Sequence, residues 1–262
     1  MLTLFPEFFH SPLAVSILGK ALERSDIVVE ARDIRSWATG KHRVTDDTPY
    51  GGGAGMVMKP GPIVRAMEAI DVEREGRGLG RSLRVMLTPG GEPFTQSIAQ
   101  ELASLDALTF VCGRYEGVDE RAIAHMDREL SLGDFVLTGG EPAALTVLDA
   151  VIRLLPGVLG NHASVEDESF SSGLLEYPQY TRPAVFRGVG VPDVLLSGHH
   201  AQIERWRRGK ALLRTARRRP DLMAQLELSD DDRQLLDEIR RSEVDHVNRT
   251  NGVHVPQEEN RS

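Results

Sequence analysis

Apolar positions change their spacing along this chain, and the change falls near residue 160. Before it, short β-rich runs recur at residues 2–5, 27–30, 83–87, 108–112 and 135–137, each followed by Gly, Pro or a polar turn. Such runs read as strands. Helical spacing lies between several of them. Within residues 145–155 the apolar Leu145, Leu148, Val151, Ile152 and Leu155 fall at i, i+3, i+6, i+7 and i+10, one face of a helix. Alternation of this kind predicts an α/β fold with a mostly parallel sheet covered on both faces. Ligands are then expected beyond the carboxyl ends of the strands.

From Gly160 to Gly173 the periodicity stops: Asn161, His162, Asp167, Glu168 and four serines follow one another without pattern, as in a long linker. Beyond it the spacing is helical at 199–215, 220–226 and 229–242, with Ser229 and Asp230 as amino-terminal caps of the last helix. The expected organisation is an α/β domain over 1–160, a linker over 161–175 and a small all-helical domain over 176–242. From Glu243 the sequence is polar and ends in Gln257-Glu258-Glu259-Asn260. That segment, 243–262, holds too little apolar surface to order itself and is expected to be a disordered tail.

Composition narrows the class. The 262 residues are 40% hydrophobic and 27% charged, and no apolar run approaches the roughly 18 residues needed to cross a bilayer. A single Cys112 allows no internal disulfide, there is no CxxC pair for zinc, and the amino terminus lacks a signal-peptide pattern. A cytoplasmic protein without a membrane partner is expected. The formal net charge of -8 argues against a nucleic-acid partner, but it hides a local field. Between His199 and Arg219 stand Arg205, Arg207, Arg208, Lys210, Arg214, Arg217, Arg218 and Arg219 against one acid, Glu204. A basic stripe of this kind contacts a polyanion locally, within a Debye length of about 8 Å; the alternative is a solvated helix face.

One internal echo points to a site. Leu87-Thr88-Pro89-Gly90-Gly91-Glu92-Pro93 and Leu137-Thr138-Gly139-Gly140-Glu141-Pro142 are alike, and between them stands Gly113-Arg114-Tyr115-Glu116-Gly117. Three glycine-bearing loops leaving three strands would form one wall of bare backbone N–H and C=O groups. The glycines of residues 51–55 are either a ligand loop or a flexible crossing. Dinucleotide and phosphate-loop fingerprints are absent, as are GxSxG and HExxH. Adjacent His199 and His200 point to different sides of a helix and make no metal site. Cys112 reads as packing rather than nucleophile.

Longer strings carry a family resemblance. Leu4-Phe5-Pro6-Glu7-Phe8-Phe9, Asp46-Asp47-Thr48-Pro49-Tyr50-Gly51-Gly52-Gly53, Val111-Cys112-Gly113-Arg114-Tyr115-Glu116-Gly117-Val118-Asp119-Glu120-Arg121 and Ser131-Leu132-Gly133-Asp134-Phe135-Val136-Leu137 resemble the bacterial tRNA (guanine-N1)-methyltransferases. So do Leu154-Leu155-Pro156-Gly157-Val158-Leu159-Gly160, Tyr180-Thr181-Arg182-Pro183 and Leu195-Leu196-Ser197-Gly198-His199-His200, and the likeness spans about residues 2–222.

The resemblance implies a deep trefoil knot of the SPOUT class in the first domain, although topology rules alone would exclude one. It also implies a homodimer with active sites at the subunit interface, and S-adenosylmethionine as methyl donor to guanine at position 37 of tRNA, 3′ of the anticodon. Donor contacts carried over by resemblance are Leu87, Thr88, Pro89, Gly113, Tyr115, Glu116, Gly117, Leu132, Gly133, Asp134, Phe135, Val136, Leu137, Gly139 and Gly140. The resemblance leaves room for Mg2+, with Glu116 as one candidate ligand; no spacing in the sequence defines a metal site.

Guanine N1 carries a proton at neutral pH, so methylation there is helped by a positioned carboxylate base, and a cation stabilises the charge that spreads to O6. By resemblance the cation is Arg153. The family commonly places Asp directly before the Ser-Phe pair, where this chain has Glu168, with Asp167 one residue earlier as the alternative base. Two milder departures are Ala54 for Pro and Phe135 for Tyr. RNA contacts are expected from Ser169, Arg182, His199, Arg205, Arg208 and Arg214, with Tyr177 or Tyr180 as stacking rings. Two rival readings stand beside this one: methylation of another RNA nucleoside, or an RNA-binding module that turns nothing over.

Overall fold

A computed structural model describes residues 1–24, 27–159, 169–170 and 172–251, the side chains of 242–251 excepted. The chain divides into two compact units, Met1–Gly160 and Asn161–Ser262.

The first unit is built on one five-stranded sheet in the order β2-β1-β6-β5-β7, with every neighbouring pair parallel. Its strands are β1 (Leu2–Thr3), β2 (Arg32–Asp33), β5 (Leu83–Pro93), β6 (Leu108–Cys112) and β7 (Arg128–Ser131). A separate antiparallel ribbon pairs β3 (Asp46–Asp47) with β4 (Val57–Met58). Parallel strands need crossover connections, and here they are helical: α1 (His10–Leu13) and α2 (Ser16–Arg24), α3 (Pro60–Gly76), α4 (Gln96–Ala103) and α5 (Glu120–Ile123). α6 (Glu141–Ile152) follows β7.

The period of two along the central strands sorts the core into two layers. Val85, Leu87, Phe110 and Cys112 pack on one face of the sheet with residues of α2, α4 and α6. Met86 and Val111 point the other way, toward Ile63, Ala66 and Met67 of α3 and Ala122 of α5.

Two expected strands move. Ile27 and Val29 pack at the margin of the core, but Val28 is exposed and residues 27–30 are irregular. Pairing begins only at Arg32, where β1 supplies a partner at Leu2. The third glycine loop leaves β7, not a strand at 135–137. Leu130 is fully buried and β7 fills the sheet edge beside β5, after which Gly133, at φ 143°, turns the chain outward and leaves Phe135, Val136 and Leu137 exposed. β5 is also longer than its apolar run. Its register against β7 shifts between Leu87 and Glu92, so the first glycine loop is a bulged continuation of the strand.

The second unit holds α7 (Asp193–Leu196), α8 (His200–Arg218), α9 (Pro220–Gln225) and α10 (Asp230–Asn251). Leu174, Ala211, Leu212, Leu213, Leu235 and Leu236 form its core. It is not wholly helical: β8 (Val185–Phe186) and β9 (Val189–Gly190) pair as a hairpin. Ser229 caps α10, its Oγ accepting from Asp232 N at 3.1 Å. α10 also runs past the expected end at Ser242, because Gly252 is the first helix breaker after Ser229. Helix thus replaces the expected tail as far as Asn251; residues 252–262 lie outside the described residues.

Candidate active site at the carboxyl ends of the strands

Three stretches gather at the carboxyl end of the sheet, the bulged part of β5 and the segments that follow β6 and β7, and the last two meet through their backbones. Gly140 N donates to Gly113 O at 2.8 Å, and Arg114 and Gly139 pair as an isolated antiparallel bridge. The approach requires glycine: a Cβ on Gly140 would stand 2.8 Å from Cys112 Cα and 3.0 Å from Gly113 N, both backbone atoms. Gly91 lies equally tight, a Cβ there falling 2.5 Å from Leu130 N. The 113–117 loop is tied on its far side to the ribbon, through Glu116 N to Met56 O at 3.0 Å and Met58 N to Gly117 O at 2.9 Å. Of the glycines of 51–55 only Gly55 is closely approached, by Glu116, whose side chain occupies the space a Cβ there would need; Gly51 and Gly52 have open space around them.

Beneath this wall lies a charge that no pattern along the chain marks out. Glu141, in the first turn of α6, is fully buried. Its Oε1 accepts from Thr3 Oγ1 at 2.7 Å, and its Oε2 faces Arg114 Nε at 3.0 Å. Arg114 also donates to Thr138 O at 3.3 Å and stacks over the Phe5 ring, 4.5 Å from its centroid. One ion pair therefore joins β1, the loop after β6 and the loop before α6. An acid at the start of a helix reads as an ordinary favourable charge near the dipole, so nothing in the glycine motif distinguishes Glu141. The neighbouring Cys112 thiol is pushed well above its usual range by burial and by Glu141. It is not a nucleophile at neutral pH.

The structure brings Leu87, Thr88, Pro89, Gly113, Tyr115, Glu116, Gly117, Leu132, Gly133, Asp134, Phe135, Val136, Leu137, Gly139 and Gly140 to this end of the sheet. Leu87 and Gly140 are buried, while Tyr115 and Asp134 to Leu137 are exposed. Arg153 is not brought there. It caps the carboxyl end of α6, whose 12 residues begin at the glycine wall, so about 18 Å of helix separate the two. Glu168 and Asp167 lie outside the described residues. Among the described residues no group of three or more His, Cys, Asp or Glu is placed to hold a metal, and no helix is long and apolar enough to cross a membrane.

In the second unit, Ser169 Oγ accepts from Glu176 N at 3.0 Å, Arg182 is exposed, and His199 is the cap residue of α8. Arg205 pairs with Glu238 at 2.7 Å, and Arg208 grips Asp232 through two bonds of 2.9 and 2.7 Å, which hold that carboxyl below its usual range. Arg214 donates to Glu176 O at 3.2 Å.

The family model described as tRNA (Guanine-1)-methyltransferase TrmD matches residues 1–225. The chain belongs to this family. It is 57% identical to the tRNA (guanine-N(1)-)-methyltransferase of Syntrophotalea carbinolica, over 92% of this chain and 96% of that protein. It is 59% identical to the protein of the same name from Myxococcus xanthus, over 93% and 96%. With that of Levilactobacillus brevis the identity is 49%, over 95% and 98%.

Proposed function

We propose that this protein transfers a methyl group from S-adenosylmethionine to N1 of the guanine on the 3′ side of the anticodon in tRNA. The observation that carries the reading is family membership over residues 1–225. The glycine wall supplies a site of suitable character. Gly113 and Gly139, both part-buried, leave backbone without side chains, and part-buried Leu132 adds apolar surface beside them, a lining suited to a ligand with both polar and apolar parts. These residues would hold the donor, together with Thr88, Tyr115, Gly117 and the loop Gly133 to Leu137. When bound, it supplies an electrophilic sulfonium methyl group.

The chain's own residues do the rest. Glu168, or Asp167 one residue earlier, accepts the N1 proton as the new N–C bond forms. The Arg153 guanidinium donates toward O6 and stabilises the negative charge gathering there. About 18 Å of helix between Arg153 and the wall supports a site shared between two chains. In the homodimer of this reading, Arg153 and Glu168 of one chain serve the donor held by the other. The exposed run Phe135, Val136 and Leu137 beside the wall is the apolar surface such a partner would cover. The reading includes a knotted passage of the chain through this region, RNA contacts in the second unit and a cytoplasmic location.

The test is transfer of labelled methyl to a tRNA transcript with guanine 3′ of the anticodon, and to its adenine counterpart, with and without Mg2+. Wild type labels only the guanine transcript, and Glu168→Gln lowers the rate by about 10² or more, while Asp167→Asn does not. Labelling of the adenine transcript would move the substrate to another nucleoside, and binding without transfer would make the protein an RNA-binding module.

A further inference from the structure

The sequence presents the basic residues of α8 as one stripe, but the structure sorts them by side. Arg205 and Arg208 turn to the carboxylates of α10, and Arg207 pairs with Glu204 and lies over the Tyr177 ring. On another face, Trp206, Lys210, Arg214, Arg217 and Arg218 follow at i, i+4, i+8, i+11 and i+12. They line a cavity of about 710 Å³ closed on the opposite side by the 178–180 segment. Tyr180, nearly half exposed, meets Trp206 there with ring centroids 6.2 Å apart and planes tilted by 58°.

We propose that this cavity is a pocket for one unpaired RNA nucleotide, its base stacked on Trp206 and Tyr180 and its phosphates met by the basic residues of α8. The inference rests on tRNA being the substrate. Three observations carry it. The volume lies within the range of about 300–1,000 Å³ typical of small-molecule pockets. Among the described residues the lining holds Arg214 and Arg218, with Lys210 and Arg217, and no acid, in a protein whose net charge is -8, so this lining is complementary to phosphate and opposite in sign to the bulk. Finally, the two rings line the concavity side by side, Trp206 part-buried and Tyr180 nearly half exposed. Charge alone would serve the backbone of a duplex, but rings so placed reward only a base that has left its stack. The described lining residues all belong to the second unit, at positions 178–218, and none is assigned to the methyl donor or the reacting guanine; the base held here is a second one, distinct from the guanine that is methylated, and the pocket sets how the tRNA is held.

The chain has two tryptophans, Trp37 and Trp206, so in full-length Trp37→Phe the only tryptophan fluorescence comes from the pocket. Titration with the tRNA transcript quenches it. A single-stranded oligonucleotide competes for the quenching better than the same sequence as a duplex. Trp206→Ala weakens tRNA binding about 5- to 100-fold, the loss expected for one base stack. Trp206→Phe keeps most of the affinity, and Arg218→Gln lowers the slope of log affinity against log salt by about 0.7–0.9. Donor binding, followed by calorimetry, stays unchanged in all three.

Wild type that methylates tRNA with no quenching in Trp37→Phe, or a Trp206→Ala variant binding within twofold of wild type, overturns the pocket and leaves the methyltransferase reading intact. Wild type that neither binds nor methylates tRNA overturns both. If Trp206→Ala does not fold, the quenching titration and the Arg218→Gln salt slope decide.

Discussion

Replacing Arg114 by methionine removes the cation from a carboxylate with no access to water. Glu141 is fully buried, its Oε1 committed to Thr3 and its Oε2 to Arg114. Breaking a buried ion pair by removing one partner costs about 3–5 kcal/mol, most of it the penalty of stranding the other charge. The Arg114 side chain is 21% exposed, so water can enter behind the truncated residue, and the lower end, about 3 kcal/mol, applies. Glu141→Gln strands less. The amide still accepts from Thr3, and Arg114 keeps the Thr138 carbonyl and the Phe5 ring, for a loss of about 1–2 kcal/mol. The double variant holds neither charge, so it should cost no more than Glu141→Gln alone and give a coupling of about 3 kcal/mol. Urea unfolding in a Trp206→Phe background, where Trp37 reports on the first unit, measures each step. A loss below about 1 kcal/mol for Arg114→Met, or a double variant equal to the sum of the singles, would refute a buried, mutually dependent pair. Because Arg114 stands between Gly113 and Tyr115, Arg114→Met also raises the KM for the methyl donor, with tRNA affinity unchanged.

Gly140→Ala places a Cβ 2.8 Å from the Cys112 backbone and forces the two loops apart. It should cost about 1–3 kcal/mol of stability, visible as a lower Tm, and weaken donor binding measured by calorimetry. Acid should lower the stability of the first unit in a defined window. Arg121 beside Asp119 holds its carboxyl down to about 2, from an ordinary 3.8, and Arg32 and Arg128 hold Glu73 and Glu92 below their ordinary 4.5. Each of these groups contributes stability that is present above its unfolded value and is lost as pH falls through its folded one. Tm should therefore be flat above about pH 5 and fall between about 4.5 and 2; a Tm constant to pH 3 would contradict the pairing.

The alternation of strands and helices was legible because the central strands are apolar on both faces, and residues 108–112 form a strand with the boundaries their apolar run predicts. β7 was not. Arg128-Glu129-Leu130-Ser131 offers one large apolar side chain, and its pairing is set by the free edge of β5, a tertiary fact. The neighbouring Phe135, Val136 and Leu137 drew the strand assignment because an exposed apolar loop and a buried strand have the same composition. The glycine wall was visible as three loops, but its mutual contacts and the Arg114–Glu141 pair were not, since they join residues 27 apart in sequence through packing. In α8 the basic stripe was legible as charge. Which arginines face α10 and which face the cavity depends on where Asp232 and Glu238 lie in space.

The hydrogen bond from Thr3 to Glu141 spans 138 positions, and Leu2 of β1 pairs with Val111 of β6. On a ribosome adding about 5–20 residues per second, the first strand therefore waits on the order of 5–20 s for its central neighbour. The wall closes later still, after Gly140 and Glu141 have emerged. Assembly of this site is thus a late event in the birth of the molecule. A nascent chain halted just after β7 would carry all five strands of the sheet but neither the Gly113–Gly140 bond nor the Arg114–Glu141 pair that gathers its loops.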